Sequence, residues 1–368
     1  MRQKPLEVVF SLDSEDFLTP EAADAQLWWA NELTARGIRA SFQCVGELLR
    51  RLRRRRHDVI QAISRHEIGY HSDLHSVTPT LPQVLRGLTL PQAIPRVLEV
   101  EAAGLRTFHR IFERTPVAYC SPGDSWTPAT LLAMAYLGVK VFCNSQLNSS
   151  ALKPFWFCGL LLTSYMLRLD NYFGAPNELE GLFKRHFEAV KSRTAHDGVL
   201  VISTHPTRLV TAAFWDRPFY GGRKVPLVTC APAPLRPARY VQTLKDRCRR
   251  WLDWLQQTNY CFTDFQTVFE RRLDGRRDLD TLLKEKGLTM GEIGKLPLLE
   301  RPFPSCLPSR CFEKRHYQWP VIDSVVDPRP YIDTARKLAW TARSSVVNQE
   351  TALPETYAAK SSLAAGPP

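Results

Sequence analysis

Apolar residues recur in two alternating rhythms along about the first 270 positions of the chain. Short runs of strand length, such as LEVVFSL over Leu6–Leu12 and VLVIST over Val199–Thr204, are followed by segments whose apolar residues fall at helical spacing. This alternation is the signature of a parallel sheet with helices outside it, because each crossover between parallel strands needs a helix-length connection. Strands are predicted at Leu6–Leu12, Arg39–Val45, Glu67–Tyr70, Pro116–Cys120, Val139–Cys143, Leu160–Leu169, Val199–Thr204 and Tyr260–Phe262. Between them, Thr19 caps and Pro20 opens a helix that Gly37 stops, and Gly46 turns the chain into an arginine-rich helix. A long helix carries Val97, Leu98, Ala102, Leu105, Phe108 and Phe112 on one stripe. Further helices are predicted over Pro128–Leu137, Leu182–Ala195 and Ala238–Leu255. Seven or so strand–helix units make the expected architecture α/β, a distorted and incomplete (β/α)7 barrel.

From about residue 272 the pattern dissolves into charged fragments, prolines (ERPFPSCLPSR) and a Ser/Ala-rich end (AAKSSLAAGPP). The expected organisation is one domain over 1–271 and a C-terminal extension over 272–368, partly disordered.

Composition narrows the class. The chain is 44% apolar and 23% charged, which is ordinary for a globular protein. The longest uncharged run, Pro154–Leu167, is too short to span a bilayer, and the start of the chain has no secretory signal pattern, so a cytoplasmic location is expected. Nine cysteines without regular spacing or a C-x-x-C pair suggest buried reduced thiols rather than a disulfide framework. A formal charge of +12, densest in LRRLRRRRH over Leu49–His57, makes an anionic membrane surface a candidate partner through Arg50–Arg56, beside the plainer reading of a solvated helix face. No zinc-finger spacing, aromatic-interleaved basic strand or recognition-helix pattern is present, which argues against a nucleic-acid partner.

Candidate chemistry gathers at the C-terminal ends of the predicted strands, where the loops of such folds converge. Asp13, His71, Asp170 and His205 all fall there, as does the turn Ser121-Pro122-Gly123-Asp124. In HSDLH, four residues separate His71 from His75, a spacing that puts both on one face of a helical turn. Neutral imidazole is the commonest ligand for a divalent transition metal, yet such a pair alone is as readily a hydrogen-bonded or solvated one. An acid decides between these. SLDSEDF crowds Asp13, Glu15 and Asp16 at the mouth of the first strand, where a cation or protonation must relieve their repulsion. Two histidines and a carboxylate with open positions suit a catalytic zinc, and also non-haem iron, although oxygenases of that type sit on a different kind of barrel.

These residues resemble the polysaccharide deacetylases, the NodB-homology domains of carbohydrate esterase family 4, over roughly residues 6 to 270. FSLDSEDF is similar to that family's first motif and HSDLH to its second. GIRASFQCVGE and HDVIQAISRHEIGYHS resemble the segments between them, CSPGDSW occupies the place of the third motif, LRLDNYF resembles the fourth and VLVISTHP the fifth. The resemblance implies that residues 1–271 form a catalytic domain and that the protein hydrolyses non-peptide C–N amide bonds as a deacetylase or deformylase of an N-acylated amino sugar, glycan or lipid-linked precursor. It implies zinc, or another divalent ion such as cobalt, nickel or manganese, on His71, His75 and either Glu15 or Asp16. Strand alternation puts Asp13 and Glu15 on one side and so favours Glu15. Asp13 is then the general base, His205 the general acid, and Ser121, Pro122, Gly123 and Asp170 meet the substrate.

One departure stands out: the family's third motif opens with an arginine that holds the catalytic aspartate, and this chain has Cys120 there. A thiol cannot pair with a carboxylate as a guanidinium does. The departure points to a divergent branch that includes peptidoglycan deacetylase-like, allantoinase-like and formamido-arabinose deformylase enzymes. Hydrolysis of a cyclic amide or ureide, and an inactive binding protein on the same fold, are the alternatives.

Overall fold

Strands and helices alternate from Glu7 to Glu270 in a computed structural model that describes residues 6–144, 154–157, 160–174, 178–194, 198–258 and 260–273. The first third of the chain runs β1 (Glu7–Ser14), α1 (Pro20–Ala35), β2 (Ser41–Cys44), α2 (Gly46–Arg55), α3 (His57–Ile63) and β3 (Glu67–Tyr70). Then follow α4 (Leu81–Val84), α5 (Leu90–Phe112), β4 (Ala118–Cys120), α6 (Pro128–Tyr136) and β5 (Val141–Cys143). The chain continues through β6 (Phe155–Phe157), β7 (Leu160–Thr163), β8 (Tyr165–Arg168), α7 (Glu178–Arg193) and β9 (Val199–Thr204). It closes with α8 (Ala238–Gln256), β10 (Cys261–Thr263) and α9 (Phe265–Glu270). Of the expected C-terminal extension over 272–368, everything from 274 onward lies outside the described residues.

The sheet runs β6-β7-β5-β4-β3-β2-β1-β9-β8, with β10 also beside β1; every pairing is parallel except that of β6 with β7. The distorted, incomplete barrel has its distortion in the sixth predicted strand. Leu160–Leu169 is not continuous: Ser164 separates β7, which pairs with β5, from β8, which pairs with β9. One strand thus reaches both neighbours, but with different halves, and the curled sheet closes only through that offset. The antiparallel edge strand β6 was not legible in the alternation, because three residues carry too little periodicity to be read.

Residues facing outward from the strands pack against the helices. Phe10 and Trp29 are buried with ring centroids 5.8 Å apart, and truncating such an aromatic typically costs about 3–5 kcal/mol. The alternate residues line the inside. Toward the bottom they are apolar, with Val9, Ala118, Val141, Leu161 and Val201 closed off by Phe265, Val268 and Phe269 of α9. One layer higher they turn polar: Ser11 stands in register with Ser41 on one side and Ser203 on the other, all fully buried. This gradient delivers Asp13, His71 and His205 to the upper rim.

The first helix starts at Pro20 as predicted, but Thr19 does not cap it with its side chain. Its hydroxyl accepts instead from the Ala233 N–H, and Asp16 takes the Thr19 N–H. Among the described residues the free cysteines Cys44, Cys120, Cys143 and Cys248 are buried, and no helix is long and apolar enough to cross a membrane.

Candidate active site

Glu15, just past the end of β1, meets two histidines from the turn after β3. Its Oε2 lies 2.8 Å from His75 Nε2 and 3.4 Å from His71 Nε2, and Trp215 Nε1–H donates to its Oε1 at 3.2 Å. One ligand atom from each of Glu15, His71 and His75 falls within 4.8 Å of the others, and all three residues are buried. Burial would raise the Glu15 carboxyl, but His75, His205 and His71 hold it well below the usual carboxylate range. A buried anion facing two imidazole nitrogens is a donor set that fits a divalent ion and leaves positions for water and substrate.

The tautomers suit that role. Nδ1 of His71 lies 2.7 Å from the Cys120 carbonyl, which can only accept, so in the neutral ring Nε2 carries the lone pair. Nδ1 of His75 lies 2.6 Å from the Ser76 hydroxyl, which itself donates to Asp216 Oδ2 at 2.6 Å.

The turn that carries both histidines is not the expected helical one. Ser72 and His75 have φ of +64° and +54°, left-handed values that non-glycine residues adopt at a cost of order 1–3 kcal/mol each. The reversal brings the two rings to 4.9 Å. A buried network holds it: Glu101 Oε2 accepts from the Tyr70 hydroxyl at 2.6 Å and the Asp73 N–H at 2.8 Å, and Arg50 Nη1 reaches Asp73 Oδ1 at 2.7 Å. Gly46 and Gly104 allow the approach, since a Cβ on either would collide with Asp73 or Tyr70.

Asp16 does not join the histidines. Its Oδ1 accepts from the Leu18 and Thr19 N–H groups within the β1–α1 turn and its Oδ2 from the Thr207 hydroxyl in the turn after β9, so both oxygens are engaged. The sequence leaves Glu15 and Asp16 open as ligands; the geometry gathers Glu15 alone.

Asp13 sits on the inner face of β1. Burial raises its carboxyl above the ordinary value, although His71 and His205 pull it down, and His205 Nε2 lies 3.7 Å from its Oδ2. His205, past the end of β9, turns Nδ1 toward Asp170 Oδ2 at 3.0 Å. Burial opposes its charge, but Asp170, Glu15 and Asp13 push the imidazolium up to about 10. Asp170, at the start of a tight turn after β8 (Leu169–Tyr172), turns its Oδ2 to His205, while its Oδ1 has no hydrogen-bond partner among the described residues.

Pro122 and Gly123 line a cavity of about 600 Å³ beside the site, shared with His75, Ser76, Asp216 and Tyr220. Ser121 does not reach it; its hydroxyl accepts from Asn144 Nδ2 at 2.8 Å. His66, by contrast, is a core histidine beside the Ala30 carbonyl at 3.0 Å.

Sequence reading missed Trp215, Asp216 and Ser76, which touch the ligands, and Arg168. Arg168 pairs with Asp124 at 3.2 Å, and its charge acts on both Asp170 and Asp13. A signal existed for it: Arg168 and Asp170 are two apart in LRLD, as Asp13 and Glu15 are in LDSE. For Trp215 and Asp216, in a loop of irregular periodicity, there was none.

No family model matches the chain, and no curated protein matches it in sequence. Among solved structures it is similar to Puue allantoinase, at 15% identity and a TM-score of 0.49 over 74% of this chain and 92% of that one. It is similar to the Bc1960 peptidoglycan N-acetylglucosamine deacetylase at 12% identity and a TM-score of 0.42, over 73% and 90% of the two chains. A 4-alpha-glucanotransferase from Thermococcus litoralis shares 13% identity with a TM-score of 0.47 over 73% of this chain, which spans only 40% of that enzyme. With each TM-score under 0.5, chemistry has to come from the site itself.

Proposed function

We propose that this chain is a metal-dependent hydrolase of non-peptide C–N amide bonds, an N-deacetylase or deformylase acting on an N-acylated amino sugar or glycan precursor. One observation carries the reading: Glu15, His71 and His75 converge in a buried group beside the Asp170–His205–Asp13 array. A divalent ion on that group, zinc or a similar one, would lower the pKa of a bound water and polarise the amide carbonyl.

The chain's own residues do the rest. Asp13 accepts the proton that the attacking water gives up, and a raised carboxyl is a better base than an ordinary aspartate. His205, kept protonated by Asp170, delivers a proton to the departing nitrogen as the C–N bond breaks, so that water and amide become an acid and an amine. Arg168 supplies positive charge near Asp13, the part that Cys120 cannot play. In this reading a backbone N–H of the turn after Cys120 would meet the carbonyl oxygen as charge develops; Pro122 has none to give, and Gly123 is the turn residue beside the cavity that does. The neighbouring cavity offers both aromatic residues, Tyr119, Phe219 and Tyr220, and polar ones such as Gln83, Arg86 and Ser125, a mixture compatible with a sugar ring and its hydroxyls.

The test is metal analysis of purified protein followed by assays with N-acetyl and N-formyl amino sugars and with allantoin. About one divalent ion per chain, amine release from the sugars, and loss of metal and activity together in His71→Ala are expected. Full metal occupancy in His71→Ala defeats the assignment, and turnover of allantoin alone moves it to cyclic ureides.

A further inference from the structure

Each of the three candidate ligands is gripped from behind by a different group: His71 by the Cys120 carbonyl, Glu15 by the Trp215 indole, and His75 by Ser76. The third grip does not end at Ser76. Its hydroxyl has one hydrogen, which goes to Asp216 Oδ2 at 2.6 Å, so the oxygen receives the His75 Nδ1–H. Asp216 Oδ2 also lies 3.6 Å from His75 Nδ1 directly. Asp216 comes from a loop 140 residues further along the chain, next to Trp215, whose ring packs on His75 at 5.4 Å.

Besides Ser76 and His75, the Asp216 carboxylate has the Tyr220 hydroxyl beside it. Asp216 is 6% exposed, and among the described residues no lysine or arginine pairs with it. Buried carboxylates are normally neutralised by a cation or anchored by several donors. Among the described residues the basic side chain paired with it is His75, through the face opposite to Glu15.

We propose that Asp216 is a positioning residue for the metal centre: acting through the Ser76 hydroxyl, it holds the His75 ring in the tautomer and orientation that present Nε2 to a cation. The proposal rests on the metal reading of the site and adds a residue that acts on the ion only through Ser76 and His75. A cation on Nε2 makes Nδ1–H a stronger donor, so the relay tightens when the ion binds and contributes to its affinity. Sequence-adjacent Trp215 and Asp216 thereby buttress two of the three ligands from one loop.

Zinc affinity of the full chain, measured by competition with a chromophoric chelator, tests this without any substrate. Asp216→Ala and Ser76→Ala are each expected to weaken zinc binding about 10–100-fold. Melting temperature and circular dichroism should stay close to the parent, a split that a merely structural role would not produce. Because the two residues act in series, Ser76→Ala/Asp216→Ala should weaken binding no more than the worse single variant. Asp216→Asn, which keeps an acceptor but loses the charge, should fall between parent and Asp216→Ala. Unaltered zinc affinity in folded Asp216→Ala overturns the proposal, as does a double variant whose losses multiply. If Asp216→Ala does not fold, Ser76→Ala and Asp216→Asn decide by the same criterion. A parent protein that binds no zinc overturns the metal reading itself, a result distinct from a parent that binds zinc and variants that bind it equally well.

Discussion

The Cys120 carbonyl oxygen sits 2.7 Å from His71 Nδ1, so the residue that occupies the place expected of an arginine serves the site through its backbone. Its thiol is fully buried beside Cys143, with burial pushing its pKa far up, and it is inert as a nucleophile or ligand. Cys120→Ala should therefore keep zinc affinity within about two-fold and cost on the order of 1 kcal/mol in stability. Chelator competition and urea unfolding measure the two effects separately.

His205 owes its charge to its neighbours. Burial lowers the imidazolium and Asp170 is the largest force raising it, to about 10. An enzyme that needs Asp13 ionised and His205 protonated gains activity as pH rises past the Asp13 value, which lies above the aspartate norm of about 4, and loses it near pH 10. In Asp170→Asn the alkaline limb should move down by a unit or more, with a drop in kcat of about 10²–10⁴-fold from the lost acid. A pH–rate profile whose alkaline limb stays in place would remove His205 from the mechanism.

Gly104 tests the support beneath the histidine turn. Alanine in a helix interior is ordinarily worth about 1 kcal/mol over glycine. Here a Cβ would run into the Tyr70 hydroxyl and stand 2.8 Å from Asp73 Oδ1, and overpacking of this kind costs about 1–3 kcal/mol. The clash wins, so Gly104→Ala should lower the melting temperature and weaken metal binding, since Asp73 belongs to the turn between His71 and His75.

Glu67 lies at the opposite end of the barrel, where its carboxylate accepts the Phe265 and Gln266 N–H groups at the start of α9. Burial, then the nearby Asp264 charge, raise its pKa from 4.5 to about 7. The folded chain thus binds more protons than the unfolded chain between those values. The stabilisation is complete below pH 4.5 and is lost as pH climbs through 7, on the order of 3 kcal/mol for this group. Glu101, also raised to about 7, adds in the same direction. Urea midpoints should fall from pH 5 to pH 8, and Glu67→Gln should flatten that slope by 1 kcal/mol or more on the linkage above.

The arginine-rich helix divides its labour. Arg50, Arg51 and Arg56 are committed to Glu47, Asp73, Asp24 and Asp58, whereas Arg53, Arg54 and Arg55 are exposed, with no ion pair among the described residues. If the anionic surface expected from the sequence is a partner, it meets only those three. Vesicles rich in phosphatidylserine should bind the protein at low salt and release it near 0.5 M, with Arg53→Gln/Arg54→Gln/Arg55→Gln abolishing binding; the affinity should drop by about 1 kcal/mol per arginine. Equal binding of that triple variant would dismiss the surface.

The order of strands and helices, and the delivery of Asp13, His71, Asp170 and His205 to one end of the sheet, were legible in the chain because periodicity is a local property and strand ends are local events. Local patterning could not settle how one strand serves two neighbours. The break at Ser164 depends on how far β5 and β9 stand apart, a distance set by the whole barrel. Strand alternation favoured Glu15 over Asp16 but could not show that the Asp16 oxygens are already claimed, because Thr207, the residue that completes that claim, is 191 positions away. Asp216 reaches Ser76 and His75, and Trp215 reaches Glu15, across similarly long separations. Spacing along the chain determined which side chains could ligate; the three-dimensional hydrogen-bond network decided which ones are left with lone pairs to do so, because a donor or acceptor can be satisfied from anywhere in the fold.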